Sequence, residues 1–159
     1  MMAASLAENI MLNIDHVAEL YYRLMIVAAP AGSGKSSALL TVHELTAAPL
    51  INVNLELSRR MLDLSERQRT LYLSRLLAEV VNRPGAGVVL LDNMEMLFDV
   101  TLKQDPLRLL QGLSRNRTLV VAWNGASDGK QLTYATPEHP EYRRYPCQDF
   151  LLVLPQPFY

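Results

Sequence analysis

The chain has 159 residues, a length that fits one domain. It is 50% hydrophobic and 19% charged with a net charge of −1, so it can bury a core and has no global field to attract nucleic acid or acidic membranes. Its single cysteine, Cys147, excludes an intrachain disulfide and suits a reducing compartment, and three scattered histidines make no metal-ligand cluster.

Ser5 and Glu8 fit a capping box. Leu6, Ile10, Ile14, Val17 and Leu20 recur at helical spacing, which predicts a helix over residues 5–22 packed on the core. The acidic Glu8 and Asp15 within it exclude a signal peptide, and no apolar run reaches bilayer length. The expectation is a soluble cytoplasmic protein without membrane contact.

An apolar run, residues 24–28, then leads into APAGSGKS, residues 29–36, and an apolar-rich segment beyond it. That order reads as strand, glycine loop and helix, and it matches the phosphate-binding P-loop with Ala29 in the first glycine slot. Gly32 and Gly34 let successive N–H groups turn toward a phosphate. The helix opening near Lys35 adds unpaired N–H groups and the positive end of its dipole. Ala31, Gly32, Ser33, Gly34, Lys35, Ser36 and Ser37 are therefore the candidate nucleotide contacts. Lys35 supplies a mobile charge for the β- and γ-phosphates, and the Ser36 hydroxyl can hold Mg²⁺. A contact from the N-terminal helix to adenine is the lesser alternative to a structural role.

Residues 47–49 form a break, and residues 50–55 alternate apolar and polar as a strand does. A long helix is predicted over residues 58–82. Its mixed charges, among them Arg59, Arg60, Arg67, Arg69, Arg75, Asp63, Glu66 and Glu79, read as a solvated face rather than a nucleic-acid track. After a turn at residues 83–87, residues 88–92 read as a buried parallel strand ending in a carboxylate, the Walker B arrangement. Asp92 can then hold Mg²⁺ opposite Ser36. Asp105-Pro106 opens a helix carrying Leu107, Leu109, Leu110 and Leu113. Residues 118–123 form another buried strand, ended by Asn124-Gly125. Asn124 either bonds a γ-phosphate or water, or marks only a turn. Residues 125–129 read as mobile, residues 138–146 as a charged, Tyr-rich loop, and residues 150–154 as the last strand, stopped by Pro155 and Pro157.

Strands alternating with helices give an α/β fold with a mostly parallel sheet, whose ligand groups sit at C-terminal strand edges. Ser36, Asn54, Asp92 and Asn124 all fall there. Along nearly its whole length the chain resembles the additional-strand P-loop ATPases, including the AAA+ and RecA-like groups. The resemblance implies strand order 5-1-4-3-2, Asp92 as Walker B and Asn124 as sensor 1. AAA+ chains carry a helical lid after the last strand; here a core without lid or sensor 2 arginine is expected. More closely, LLDNME (residues 90–95), SRNRTLVVAWNG (residues 114–125) and LTYATPEHPEYRRY (residues 132–145) resemble the BrxF family. These are small P-loop proteins of type III BREX phage-exclusion systems. That resemblance implies a bacterial anti-phage role with other BREX-system proteins as partners.

Relatives place a Glu directly after the Walker B Asp, where this chain has Asn93. An amide orients water but cannot take its proton. Glu95 is the candidate base, and Glu56, just past the second strand, is the alternative, with helix N-terminal stabilisation as its other role. Arg143 and Arg144 lie close to where AAA+ chains carry an arginine finger, so one of them is a candidate for a neighbouring subunit's γ-phosphate. Arg115 and Arg117 are the reserves. The expected protein binds ATP and Mg²⁺, hydrolyses ATP slowly or only in an assembly, and self-associates. The alternative is a nucleotide-gated adaptor with negligible turnover. A small-molecule kinase and a sequence-specific DNA reader are both disfavoured.

Overall fold

A computed structural model describes residues 5–155. It contains an α/β parallel-sheet core flanked by helices. The elements run α1 (Leu6–Val17), β1 (Leu24–Ala29), α2 (Lys35–Thr46), β2 (Leu50–Asn52), α3 (Val53–Met61), α4 (Glu66–Val81) and β3 (Val88–Asp92). Two 3-10 turns follow, η1 (Glu95–Phe98) and η2 (Val100–Leu102). Then come α5 (Pro106–Leu113), β4 (Thr118–Ser127), β5 (Gln131–Tyr134), β6 (Arg143–Pro146) and β7 (Leu151–Val153). Pro157, read as a stop, lies outside the described residues. No described helix is long and apolar enough to cross a membrane.

Strand order through the parallel part is β2-β3-β4-β1-β7. All six residues of β1 are buried, because helices cover both faces of the sheet. Alternation along the strands sorts the side chains. Leu24 and Ile26 of β1 join Val89 and Leu91 of β3 and Leu119, Val121 and Trp123 of β4, against α3, α4 and α5. Met25, Val27, Leu90 and Val120 face the other way, onto α1 and α2. Burying each large side chain contributes about 1.5–3 kcal/mol. Register carries the site: Ala29 lies opposite Asn124, and Asn52 opposite Asp92, so the ends of β1, β2 and β3 share one edge with position 124 of β4.

Several boundaries differ from the sequence reading. α1 stops at Val17, the last core-facing residue, and the chain turns through Glu19 and Leu20 N–H groups onto His16 and Val17 carbonyls. Leu20 fits the helical spacing but is 36% exposed. The second strand ends at Asn52, whose side chain accepts from the Leu55 N–H at 3.1 Å and caps α3. The long helix over residues 58–82 is two helices. Ser65 and Gln68 form a capping box that starts α4 afresh.

The largest difference is at Asn124-Gly125. The chain does not turn there. β4 continues to Ser127 and pairs antiparallel with β5, which pairs with β6. The segments read as a mobile loop and a charged loop thus contribute strands to a small antiparallel arm built off the sheet. Gly125 is required by close approach rather than by a turn. A Cβ there would stand 1.8 Å from the Thr133 carbonyl oxygen. Gly125→Ala is therefore expected to lower stability by about 3 kcal/mol, the upper range for forced overpacking, because the obstacle is backbone. Thermal unfolding followed by circular dichroism measures it; a variant as stable as the parent would show that the arm can shift at no cost.

Candidate functional site

The loop between β1 and α2 is shaped by Gly32 and Gly34, with φ of 80° and 93°, values that cost a side-chain-bearing residue energy. Gly34 is the N-cap of α2 and has no side chain to cap with. The other α-helices among the described residues are capped by Ser5, Asn52, Ser65 and Asp105. Helix geometry leaves the first-turn N–H groups of α2, those of Lys35, Ser36 and Ser37, without helical partners. Ala31, Gly32, Ser33, Ser36 and Ser37 are exposed. The Ser33 hydroxyl donates to the Pro30 carbonyl, which ties the loop's front edge.

Lys35 differs from its neighbours. Rather than projecting freely, it is 5% exposed, and its Nζ donates to the Ala29 and Pro30 carbonyls, each at 2.7 Å. Burial holds its pKa below the usual lysine value, against the opposing pull of Asp92 and Glu95.

Across the cleft, β3 ends at Asp92, whose Oδ1 accepts from the Asn93 N–H at 2.9 Å. Asn93 then takes φ 52°, and the chain turns into η1 rather than continuing as strand. That turn carries Glu95 into an amide clamp. Asn54 Nδ2 donates to Glu95 Oε2 at 2.8 Å, and Asn124 Nδ2 donates to Oε1 at 2.6 Å. Asn54 is itself held, its Oδ1 by the Met96 N–H at 2.9 Å and its own N–H by the Asn93 carbonyl at 2.7 Å. A cleft of about 410 Å³ joins loop residues 31, 32 and 34–37 to Asp92, Glu95 and Asn124. A larger one, about 490 Å³, lies at the opposite sheet edge around Pro49 and Gly87. It contains none of these groups.

Ser36 and Asp92 border the cleft as a hydroxyl and a carboxylate, an oxygen pair suited to a hard cation such as Mg²⁺. Among the described residues no three His, Cys, Asp or Glu side chains gather as a metal site. A cation here would therefore need further oxygens from a nucleotide and water.

The remaining candidates lie elsewhere. Glu56 sits in the first turn of α3, bonded to Arg60 at 2.8 Å, and that guanidinium holds its carboxyl below the usual range. It does not line the cleft. Arg143 and Arg144 are neighbours on β6. Arg143 donates to the Gln104 carbonyl at 2.9 Å, and Arg144 is exposed. Neither enters this chain's own cleft. Arg117 ties the start of β4 to the Val81 and Arg83 carbonyls, and Arg115 lies 4.6 Å over the Tyr21 ring, both at the sheet edge away from the loop. Asn54 was legible only as a polar residue near a strand edge. It belongs to α3, and its bond to Glu95 spans 41 positions of sequence, a pairing no local pattern encodes.

No family model and no curated protein matches the chain. Among solved structures it is similar to C. elegans PCH-2, at 16% identity and a TM-score of 0.41. The match covers 77% of this chain and 38% of that one, so the chain spans about two fifths of that protein's length. What stands on this chain's own geometry is a parallel α/β core of P-loop NTPase-like form, with a glycine loop, a buried lysine and a clamped glutamate around one cleft.

Proposed function

We propose that the chain binds ATP with Mg²⁺ and is a slow or assembly-stimulated ATPase. The observation that carries this reading is the cleft itself. It has uncapped helix N–H groups and Lys35 on one wall, and Asp92, Glu95 and Asn124 on the other. Phosphate oxygens would replace the Ala29 and Pro30 carbonyls as acceptors for Lys35. The N–H groups of residues 32–37 and the α2 dipole add positive potential without a side chain. Ser36 and Asp92 would hold Mg²⁺, which when bound neutralises phosphate charge. Asn124 stands where its amide can reach a terminal phosphate or the attacking water.

Glu95 is the carboxylate placed to accept that water's proton as the water attacks phosphorus and ADP leaves. Each carboxylate oxygen has two acceptor sites, so Glu95 can take a proton while still clamped. The clamp restricts its motion, and Asn93 occupies the position where relatives place their acid. Both features favour low turnover. They also support the second reading, a nucleotide-gated adaptor with negligible hydrolysis.

The resemblance to the BrxF family supplies the setting: a cytoplasmic protein of bacterial anti-phage defence, serving other BREX-system proteins and self-associating. In such an assembly Arg143 or Arg144 would act on a neighbouring subunit's terminal phosphate, since neither reaches its own cleft. Direct DNA contact is not favoured: α3 and α4 pair part of their arginine charge internally. Calorimetry with ATP and Mg²⁺, joined to solution mass and ATP turnover with and without partner proteins, tests the reading. Binding with assembly-dependent turnover is expected. Binding without turnover in any assembly would select the adaptor, and no binding would overturn both.

A further inference from the structure

The antiparallel arm was invisible in the sequence, and it meets the candidate site at two points. Glu95 and Phe98 open and close η1. The Phe98 ring is fully buried and stacks on Tyr134 of β5, with ring centroids 3.5 Å apart and planes 11° from parallel. Trp123, the residue before Asn124, stands edge-on to both rings, at 5.1 Å and 6.1 Å. Its Nε1 donates to the Thr133 carbonyl at 2.9 Å, beside the close approach at Gly125. Tyr145 of β6 packs edge-on to Trp123 at 6.0 Å, and its hydroxyl donates to Asp105, the N-cap of α5, at 3.1 Å. One aromatic cluster thus joins the arm to the turn that carries Glu95 and to the strand that carries Asn124.

We infer that the β4–β6 arm sets the positions of Glu95 and Asn124, with the Tyr134 ring as the positioning residue. This rests on the reading that a terminal phosphate meets those two side chains. η1 is a single 3-10 turn, too short to hold its own orientation, and its hydrogen-bond geometry is poor. What fixes it is Asn54 on one side and the Phe98–Tyr134 stack on the other. An aromatic pair of this kind contributes about 0.5–1.5 kcal/mol beyond the area it buries. The ring acts, not the hydroxyl. Burial first, then Glu141 and Glu95, push the Tyr134 pKa up to about 12, so its hydroxyl is uncharged near neutrality. Among the described residues the arm's outer strand β6 pairs only with β5. A partner that bends the arm would therefore move Glu95 and Asn124 together, which gives assembly a route to turnover without entering the cleft.

The test compares the parent with Tyr134→Phe, Tyr134→Leu and, as a control for core loss on the opposite sheet face, Ile10→Ala. ATP and ADP affinities are measured for each with Mg²⁺, and single-turnover rates where the parent turns over. The ratio of ATP to ADP affinity reports how well Glu95 and Asn124 meet the terminal phosphate and needs no hydrolysis. Tyr134→Leu should lose at least about fivefold in that ratio, and about tenfold in single-turnover rate, with ADP affinity within about twofold of the parent. Tyr134→Phe and Ile10→Ala should keep both. If Tyr134→Leu keeps the ratio and the rate, or Ile10→Ala loses them equally, the aromatic cluster is only core and the inference is overturned. A parent that binds neither nucleotide would overturn the nucleotide reading itself, an outcome visible before any variant is made.

Discussion

Lys35→Ala is expected to weaken ATP binding by at least about 100-fold in a protein that still folds. The ammonium would make two charge-assisted bonds to phosphate oxygens, each worth about 1.5–3 kcal/mol, and about 1.4 kcal/mol is tenfold in affinity. The same variant should also lose stability. Lys35 is buried and bonded to two loop carbonyls rather than held free as a mobile charge. The expected loss is about 1–3 kcal/mol from leaving those carbonyls without a donor. Lys35→Met, which keeps the stem but gives the two carbonyls no donor, separates packing from hydrogen bonding: it should recover only the packing part of the stability and none of the affinity. Protonation gives opposite slopes for the two properties. The folded pKa of Lys35 lies below 10.5 because burial disfavours the charge. Between that lowered value and 10.5 the unfolded chain binds the extra proton, so this residue's contribution to stability rises with pH there. ATP affinity falls through the same window, as the charge that phosphate requires is lost. Calorimetry and thermal unfolding across that range measure both. Unchanged ATP affinity in folded Lys35→Ala would refute the assigned role.

The parallel core was legible because its signals are local and redundant. Buried parallel strands need near-continuous apolar runs, and residues 24–28, 88–91 and 118–123 supply them. The glycine loop was legible because a left-handed backbone at Gly32 and Gly34 leaves few residue choices. What could not be read depends on contacts between distant residues. Alternation in residues 50–55 serves a strand and the first turn of a capped helix equally, and the Asn52 cap decides between them. Asn124-Gly125 looks like a turn by composition. Gly125 is instead required because Thr133 crosses directly over it. Glu95 could be named as a candidate because Asn93 fills the usual acidic slot. Its placement could not be read: the chain turns at Asn93 with positive φ, and an amide from α3 reaches across to hold the carboxylate.

Glu95→Gln should reduce ATP turnover by about 10²–10⁴-fold, the range for a general base, while leaving ATP affinity within a few-fold of the parent. The clamp makes the substitution unusually conservative. A glutamine offers one acceptor and one donor where the carboxylate offered two acceptors. Asn54 cannot reverse its amide, because Met96 N–H already holds its oxygen. The new side chain should therefore turn its oxygen to Asn54 and its NH₂ to Asn124, and Asn124 can reverse to accept. The fold keeps its bonds and the site loses its base. Glu56→Gln is the matched control. It breaks only the partly exposed pairs to Arg59 and Arg60 and should leave turnover within about twofold, since solvent and salt screen such pairs. Single-turnover measurement in the most active assembly available reads both variants. A Glu95→Gln protein as fast as the parent, beside an inactive Glu56→Gln, would place the base on α3. Two variants as fast as the parent would leave Asn124 and the loop to position water unaided. Asn54→Ala then distinguishes clamp from base. It frees one Glu95 oxygen and leaves Met96 N–H without its acceptor, so the carboxylate gains freedom as η1 loses support. If the clamp holds Glu95 back, turnover should rise by several-fold despite lower stability. If it only aligns Glu95, turnover should fall by a similar factor.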